Sequence, residues 1–123
     1  MAKFNSFEEI LSWQKARILN VAIYKATNTN PLFSKDFGLK DQIRRASVSI
    51  SSNISEGFER QTTKEFIRFL YIAKASAGEL RSQLYLAFDL DYIDEEEFKK
   101  LELQVKEVSK LISGLLKYLQ STL

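Results

Sequence analysis

The chain has 123 residues, of which 45% are hydrophobic and 28% are charged, and its formal net charge is +2. This length and composition predict one soluble globular domain over residues 1–123. The lack of cysteine excludes disulfide bonds and thiolate metal sites, and the lack of histidine excludes the usual general base and the Ser-His-Asp triad. No apolar run reaches membrane-spanning length, and the start of the chain has charges where a signal peptide needs an apolar segment, so a cytoplasmic protein is predicted.

The charges are unevenly distributed along the chain. Residues 1–81 contain 13 Lys and Arg against 8 Asp and Glu, whereas residues 82–123 contain 5 against 8. The first part is therefore basic by +5 and the second is acidic by −3. A basic body permits binding to a polyanion without requiring it, since solvated helix faces also have charges.

A first helix is predicted from Ser6, which forms a capping box with Glu9, to the polar stretch that ends at Pro31. Trp13 on this helix is read as a packing residue, with base stacking as the alternative. Apolar residues at helical spacing predict its buried face: Ile10, Leu11, Ile18, Val21 and Ala22.

The second predicted helix begins between Ser34 and Gly38 and closes at Gly57, which is expected to adopt the left-handed conformation. Its apolar stripe consists of Leu39, Ile43, Ile50 and Ile54. A polar stripe lies directly beside it and consists of Gln42, Arg45, Ala46, Ser49, Asn53 and Glu56. When the apolar stripe packs, these polar groups reach the edge of a core or an interface, where each needs a partner.

Two further helices begin at the capping boxes Thr62 with Glu65 and Asp94 with Glu97. The third helix is expected to bury Phe66, Leu70, Ala73, Ala77, Leu80, Leu84 and Ala87, and Gly78 within it suggests the close approach of another helix. The fourth is expected to bury Phe98, Leu101, Val105, Val108, Ile112, Leu115 and Leu119, a 3.5-residue repeat. Four amphipathic helices with short connections predict an all-α, antiparallel up-down-up-down four-helix bundle.

The residues offer little catalytic chemistry. No glycine-rich phosphate loop is present, and without histidine no enzyme activity, metal or cofactor is predicted. Glu56 and Glu79 are carboxylates on otherwise packed helices. They are expected to accept hydrogen bonds that fix helix register, while a weak divalent-cation site between them or direct ligand contact stays open.

Basic residues of the second and third helices are candidates for phosphate contacts along one positive edge, where binding would be independent of sequence and sensitive to salt. The candidates are Lys40, Arg44, Arg60, Lys64 and Arg68, with Lys74 further along the third helix.

Several short motifs carry a family resemblance over most of the chain, from Trp13 to Tyr92. They are Trp13-Gln14-Lys15-Ala16, Gly38-Leu39, Gln42-Ile43-Arg44-Arg45-Ala46, Ser49-Ile50, Ser52-Asn53-Ile54, Glu56-Gly57, Glu65-Phe66 and Glu79-Leu80. On these motifs the chain resembles the bacterial four-helix bundle proteins encoded in intervening sequences of large-subunit ribosomal RNA genes. Ser51 departs from the usual proline and Ser55 from the usual alanine, so the second helix is expected to be straighter here.

The resemblance implies a small bundle that assembles into a ring, with a pentamer favoured. It also implies kinship to the accessory protein of diversity-generating retroelements, a basic pentameric barrel that associates with nucleic acid and a reverse transcriptase. The polar signature that the resemblance transfers is Gln42, Arg45, Ser49, Asn53, Glu56 and Glu79. It leaves open whether these residues act within one subunit or between subunits.

Two functions are therefore expected of this sequence. The first is a non-enzymatic, homo-oligomeric binding module associated with nucleic acid, most plausibly RNA rather than DNA, in which the polar stripe makes subunit contacts and the basic residues contact phosphates. The second is a homo-oligomeric scaffold that docks a partner protein without nucleic acid. Neither involves a membrane.

Overall fold

The computed structural model describes residues 4–123, which are helical without any strand, and the predicted all-α class is confirmed. None of the helices in that range is long and apolar enough to cross a membrane. A short 3-10 helix, Phe7–Glu9, precedes the first α-helix. The α-helices are α1 (Leu11–Thr29), α2 (Pro31–Lys35), α3 (Phe37–Phe58), α4 (Thr63–Asp89) and α5 (Glu95–Ser121).

The four long helices form an antiparallel bundle with the cyclic order α1, α3, α4, α5. Each packs mainly on its two neighbours in that order, so α1 lies diagonally across from α4, and α3 across from α5. The α1–α5 side of the bundle is consequently opposite the α3–α4 side. This arrangement is the up-down-up-down bundle that the short connections predict.

Two of the three predicted capping boxes mark real helix starts. The Thr62 side chain accepts a hydrogen bond from the Glu65 amide at 3.1 Å, and Asp94 accepts one from Glu97 at 2.8 Å. The prediction at Ser6 is wrong, because its side chain makes no capping bond and the 3-10 helix follows instead. α1 starts five residues later, at Leu11.

The region around Pro31 holds a short helix that the sequence reading missed. Pro31 is the first residue of α2, a position where its missing N–H costs nothing, and Asn30 accepts a hydrogen bond from the Leu32 amide at 2.8 Å. Asp36 then caps α3 by accepting from the Leu39 amide at 3.1 Å. The predicted end of the first helix is nevertheless confirmed, since α1 stops at Thr29.

The buried faces of α4 and α5 follow the prediction closely. All seven predicted core residues of α4 are buried. In α5 the register shifts by one near the end, where Leu116 is buried and Leu115 is half-buried. The step of four residues from Ile112 to Leu116 is followed by a step of three to Leu119, so the prediction is wrong at Leu115 alone and correct again at Leu119.

The predicted buried face of α1 is largely wrong. Leu11, Ile18 and Val21 are half or more exposed, at 50%, 56% and 53%. The side that enters the core contains Leu19 and Ile23 together with small residues, which an apolar pattern weights lightly: Ser12, Ala16, Ala26 and Thr27. The exposed apolar residues of α1 therefore need another explanation.

Gly57 is buried inside the last turn of α3 and does not have positive φ, so the predicted left-handed end is wrong. Its function is steric. A Cβ at this position would lie 2.6 Å from the Phe69 Cβ and 3.1 Å from the Phe66 Cδ1. Glycine therefore lets α3 approach α4 closely at this point.

Buried polar side chains join α1 to α3. The Ser47 hydroxyl donates to the Asn20 Oδ1 at 2.7 Å, and the Asn20 amide donates to the Ser51 hydroxyl at 3.0 Å. Ser51 is the residue expected to replace a family proline, and α3 runs through it unbroken. This network satisfies polar groups that would be costly to bury alone.

We predict that Gly57→Ala lowers the free energy of unfolding by about 1–3 kcal/mol, because the added methyl group forces α3 and α4 apart. Gly114→Ala in α5 is the matched control, since a Cβ there meets no atom within 4 Å. The control should raise stability by up to about 1 kcal/mol through helix propensity. Urea unfolding followed by circular dichroism checks both, and equal effects of the two variants would contradict the steric explanation.

Tyr92 predicts a pH dependence of stability. Its hydroxyl donates to the Asp36 Oδ2 at 2.8 Å, and this hydrogen bond raises the pKa of Tyr92 above the ordinary value of 10.0. Because the folded state holds the proton more tightly, this contribution is complete below pH 10 and is lost as pH rises through the raised pKa. The stability difference between the wild type and Tyr92→Phe should thus shrink above pH 10 in urea titrations; a constant difference would contradict this.

Candidate functional site

The middle of the predicted polar stripe acts within the subunit, at the junction of α3 and α4. The hydroxyls of Ser49 and Ser76 are hydrogen-bonded at 2.9 Å. The Asn53 amide donates to the Ser49 carbonyl at 2.8 Å and to its hydroxyl at 3.0 Å. The stripe therefore runs along the edge of α3 that faces α4.

The ends of the same stripe are exposed at the surface. Gln42 is exposed, the Arg45 guanidinium pairs with Asp41 at 2.8 Å, and the Glu56 carboxylate pairs with Arg60 at 3.3 Å. Exposed pairs one helical turn apart contribute only a few tenths of a kcal/mol. A surface that docks here can therefore exchange these pairs at little cost.

Glu56 and Glu79 do not share a site. Glu56 precedes Gly57, whose neighbour on α4 is Phe69. Glu79 lies ten residues beyond Phe69, which is about 15 Å along the helix. Glu79 instead accepts a hydrogen bond from Gln83 at 3.3 Å, and the described residues contain no group of three potential metal ligands. The geometry gives no support to the cation site between them.

The predicted basic residues fall into two groups rather than one edge. Arg60 lies just beyond the end of α3 and follows Arg44 by 16 residues, which is about 24 Å at the rise of a helix. Arg44 is also engaged within the chain: it donates to the Thr27 hydroxyl at 2.8 Å and to the Tyr24 carbonyl at 3.3 Å. Its guanidinium lies 4.2 Å from the centre of the Tyr24 ring, so Arg44 joins α3 to α1. Lys40 is half-buried near the Phe37 ring.

Arg60, Lys64 and Arg68 gather at the turn between α3 and α4. The guanidinium groups of Arg60 and Arg68 each lie 4.7 Å from the centre of the Phe69 ring.

Carboxylates balance these three cations. Glu56 pairs with Arg60, and Glu65 pairs with Arg68 at 3.0 Å. The hydrogen bond from Arg68 lowers the pKa of Glu65, which keeps this carboxylate ionised. With Glu59 also in the turn, three negative charges face the three positive ones, and the turn has little net field.

An exposed apolar surface lies between α1 and α5. We call Leu11, Ile18 and Val21 the α1–α5 face. Ile18 and Val21 line a groove of about 510 Å³ whose walls include Leu101. The cations around them are Arg17, Lys25 and Lys100, against the single carboxylate of Glu97. Trp13, at one end of this surface, is half-buried and packs edge-on against Phe7 at 5.0 Å between ring centres, which supports its packing role.

A second exposed apolar surface lies on α4 and its C-terminal capping residue, on the side that meets α3. We call Ile72, Leu86 and Leu90 the α3–α4 face; they are 39%, 48% and 44% exposed. Ile72 is one turn from Ser76, which contacts α3, and this places the surface beside the polar stripe. Glu79 shares this side of α4, whereas Lys74 and Arg81 line a groove towards α5.

The two apolar faces are on opposite sides of the bundle. Sequence reasoning missed both, because it assigned the exposed residues of α1 to the core, and because Ile72 and Leu86 lie off the predicted core stripe of α4. The signal in the sequence is that α1 has two apolar stripes. One contains Leu19 and Ile23, and the other contains Ile18 and Val21. A helix that buries one stripe needs only the first.

Comparison with known proteins identifies the family. The family model described as 23S rRNA-intervening sequence protein matches residues 8–114. The chain belongs to this family. No curated protein matches the sequence.

A solved structure from Bacteroides thetaiotaomicron VPI-5482 has the same fold. It is described as a protein with unknown function from the S23 ribosomal protein family. It is 29% identical to this chain, the match covers 87% of this chain and 99% of that one, and the TM-score is 0.79. The resemblance inferred from the short motifs is therefore confirmed at the level of family and fold.

Proposed function

We propose that this member of the 23S rRNA-intervening sequence protein family is a non-enzymatic, homo-oligomeric binding module that associates with RNA. The observation that carries the proposal is the pair of exposed apolar faces on opposite sides of one bundle. Large exposed apolar surfaces usually mark interaction sites. Two such faces on opposite sides suit a head-to-tail contact, which closes into a ring when the rotation between copies allows it.

Charge supports a second copy as the occupant of the α1–α5 face. Its apolar centre is surrounded by Arg17, Lys25 and Lys100. Glu79 is on the α3–α4 face and provides the opposite charge. If the α1–α5 face docked on its own copy, like charges would meet, and this is costly.

The polar stripe enters the same contact in this proposal. Gln42, Arg45 and Glu56 are exposed along the edge of α3 beside the α3–α4 face. A docked copy would cover them, so their hydrogen bonds would help to fix the register between subunits. The family resemblance favours five copies.

Association with RNA would depend on repetition. A single cation such as the exposed Lys64 or the half-buried Lys40 contacts phosphate weakly, but a ring presents each of them several times, and linked weak sites bind with avidity. The family description, 23S rRNA-intervening sequence protein, contains the name of an RNA, and RNA is therefore the first ligand to test. Docking of a partner protein by the same oligomer is the second candidate.

We predict that Val21→Asp dissociates the oligomer while the helix content stays unchanged, because the charge lies in the apolar contact without entering the core. Leu103→Asp is the matched control, since Leu103 is 70% exposed on α5 and does not line the α1–α5 groove. Sedimentation velocity at micromolar concentration should show a multimer for the wild type and the control and a monomer for Val21→Asp. A monomeric wild type, or equal masses for all three, would contradict the assembly.

Titration of a structured RNA at two salt concentrations tests the ligand. The wild type should bind more weakly at the higher salt concentration, and Val21→Asp should bind at least tenfold more weakly than the wild type because avidity is lost. Absence of binding at low salt, or an affinity that does not depend on salt, would contradict the proposal that RNA is the ligand. If RNA does not bind and the oligomer still retains a host protein after nuclease treatment, the second candidate, a scaffold that docks a partner protein, is favoured.

A further inference from the structure

A groove between α4 and α5 is lined by basic residues that do not belong to either apolar face. It has a volume of about 220 Å³. Its cationic side chains are Lys74, Arg81 and Lys106, and small residues, including Gly78 and Ser109, form the rest of the wall. It opens on a third side of the bundle, which stays accessible when the α1–α5 and α3–α4 faces are covered.

The charge of this α4–α5 groove is less balanced than that of the turn between α3 and α4. The neighbouring carboxylate is Glu102, which is 3.7 Å from the Lys106 ammonium and accepts a hydrogen bond from the Tyr85 hydroxyl at 2.9 Å. Lys74 and Arg81 make no ion pair within 4.0 Å in the described residues. Lys110 and Lys117 continue the same side of α5, one turn and three turns beyond Lys106.

Gly78 leaves the wall of the groove open. A Cβ at this position would meet no atom within 4 Å, so no contact inside the subunit requires glycine there. Glycine in a helix interior costs about 1 kcal/mol relative to alanine. Among the described residues no helix approaches Gly78 closely, although α3 does contact the nearby Ser76. The missing side chain instead widens the groove between Lys74 and Arg81.

The length of the basic surface distinguishes a polyanion from a single phosphate. Lys74 and Arg81 are seven residues apart, about 10 Å along α4, and Lys106 and Lys117 are eleven residues apart, about 16 Å along α5. One phosphate ion cannot reach cations spread over this distance. The exposed rings of Tyr71 and Tyr85 lie at the two ends of the surface, where bases of a strand can stack.

We propose that the α4–α5 groove binds the phosphate backbone of a single RNA strand, with Lys74, Arg81 and Lys106 as its central contacts. This inference rests on the proposed association with RNA and moves the main contact away from Arg60 and Arg68, each of which pairs with a carboxylate. In a ring the grooves repeat around the assembly. A strand can then pass from one subunit to the next.

The test compares two double variants that remove the same number of charges. The groove variant combines Lys74→Gln and Arg81→Gln, which removes two positive charges from the groove. The control variant combines Arg60→Gln and Arg68→Gln, which removes two positive charges from the turn between α3 and α4. With fluorescent oligouridine as the probe, the groove variant should lose about tenfold or more in affinity, and its slope of log affinity against log salt should decrease by about 1.4, or 0.7 per lost contact. The control should stay within about twofold of the wild type. Circular dichroism and sedimentation establish that both variants remain folded and assembled.

A third variant and a second probe separate the possible failures. Gly78→Leu narrows the groove without a change of charge and should also weaken binding. If the wild type binds oligouridine and the groove variants bind equally well, the groove proposal is overturned while the RNA proposal stands. If the wild type binds inorganic polyphosphate through the groove but not RNA, both RNA proposals are overturned, and the groove is a site for a different polyanion. Binding of neither probe overturns both.

Discussion

The close contact between α3 and α4 is the constraint on which the arrangement of the surfaces depends. At one end Gly57 lies against Phe69, and further along the hydroxyls of Ser49 and Ser76 are hydrogen-bonded. These contacts fix the rotation of both helices about their axes. As a consequence, the isoleucine stripe of α3 enters the core, the centre of its polar stripe is satisfied by α4, and the outer side of α4 presents Ile72 and Leu86 to the surface.

The four sides of the bundle have three different chemical characters. The α1–α3 side is closed by the Asn20 network and by Arg44, which binds the backbone and hydroxyl of α1. The α1–α5 and α3–α4 sides each expose apolar side chains, and the α4–α5 side is basic. The proposal follows from this division. The α1–α5 and α3–α4 sides join copies, the α1–α3 side is closed within the subunit, and the α4–α5 side is free to bind a polyanion.

Sequence reasoning succeeded where one physical signal dominated. Thr62 and Asp94 have the side chains that cap helices, and the core residues of α4, four large ones and three alanines, recur on a single stripe, so both were predicted correctly. It failed where two signals competed. In α1 the exposed Ile18 and Val21 resemble core residues, while the true core relies on Ala16 and other small side chains.

The candidate sites were harder to predict because they depend on the spatial order of the helices. Gly57 suggested a helix end, although its steric function needs Phe69, twelve residues later, to be known as its neighbour. The basic residues of α3 and α4 suggested one edge, but charge alone did not show that Glu56 and Glu65 neutralise part of it. The α4–α5 groove joins residues about thirty positions apart, such as Lys74 and Lys106, and no local pattern brings them together.

Cross-linking between introduced cysteines tests the head-to-tail contact most directly, because the chain has no cysteine of its own. Val21→Cys labels the α1–α5 face and Ile72→Cys labels the α3–α4 face. With a short thiol-reactive cross-linker, the double variant should give a ladder of covalent multimers up to the size of the ring, and each single variant should stay uncross-linked. Covalent dimers of Val21→Cys alone, or a double variant without any ladder, would contradict the account.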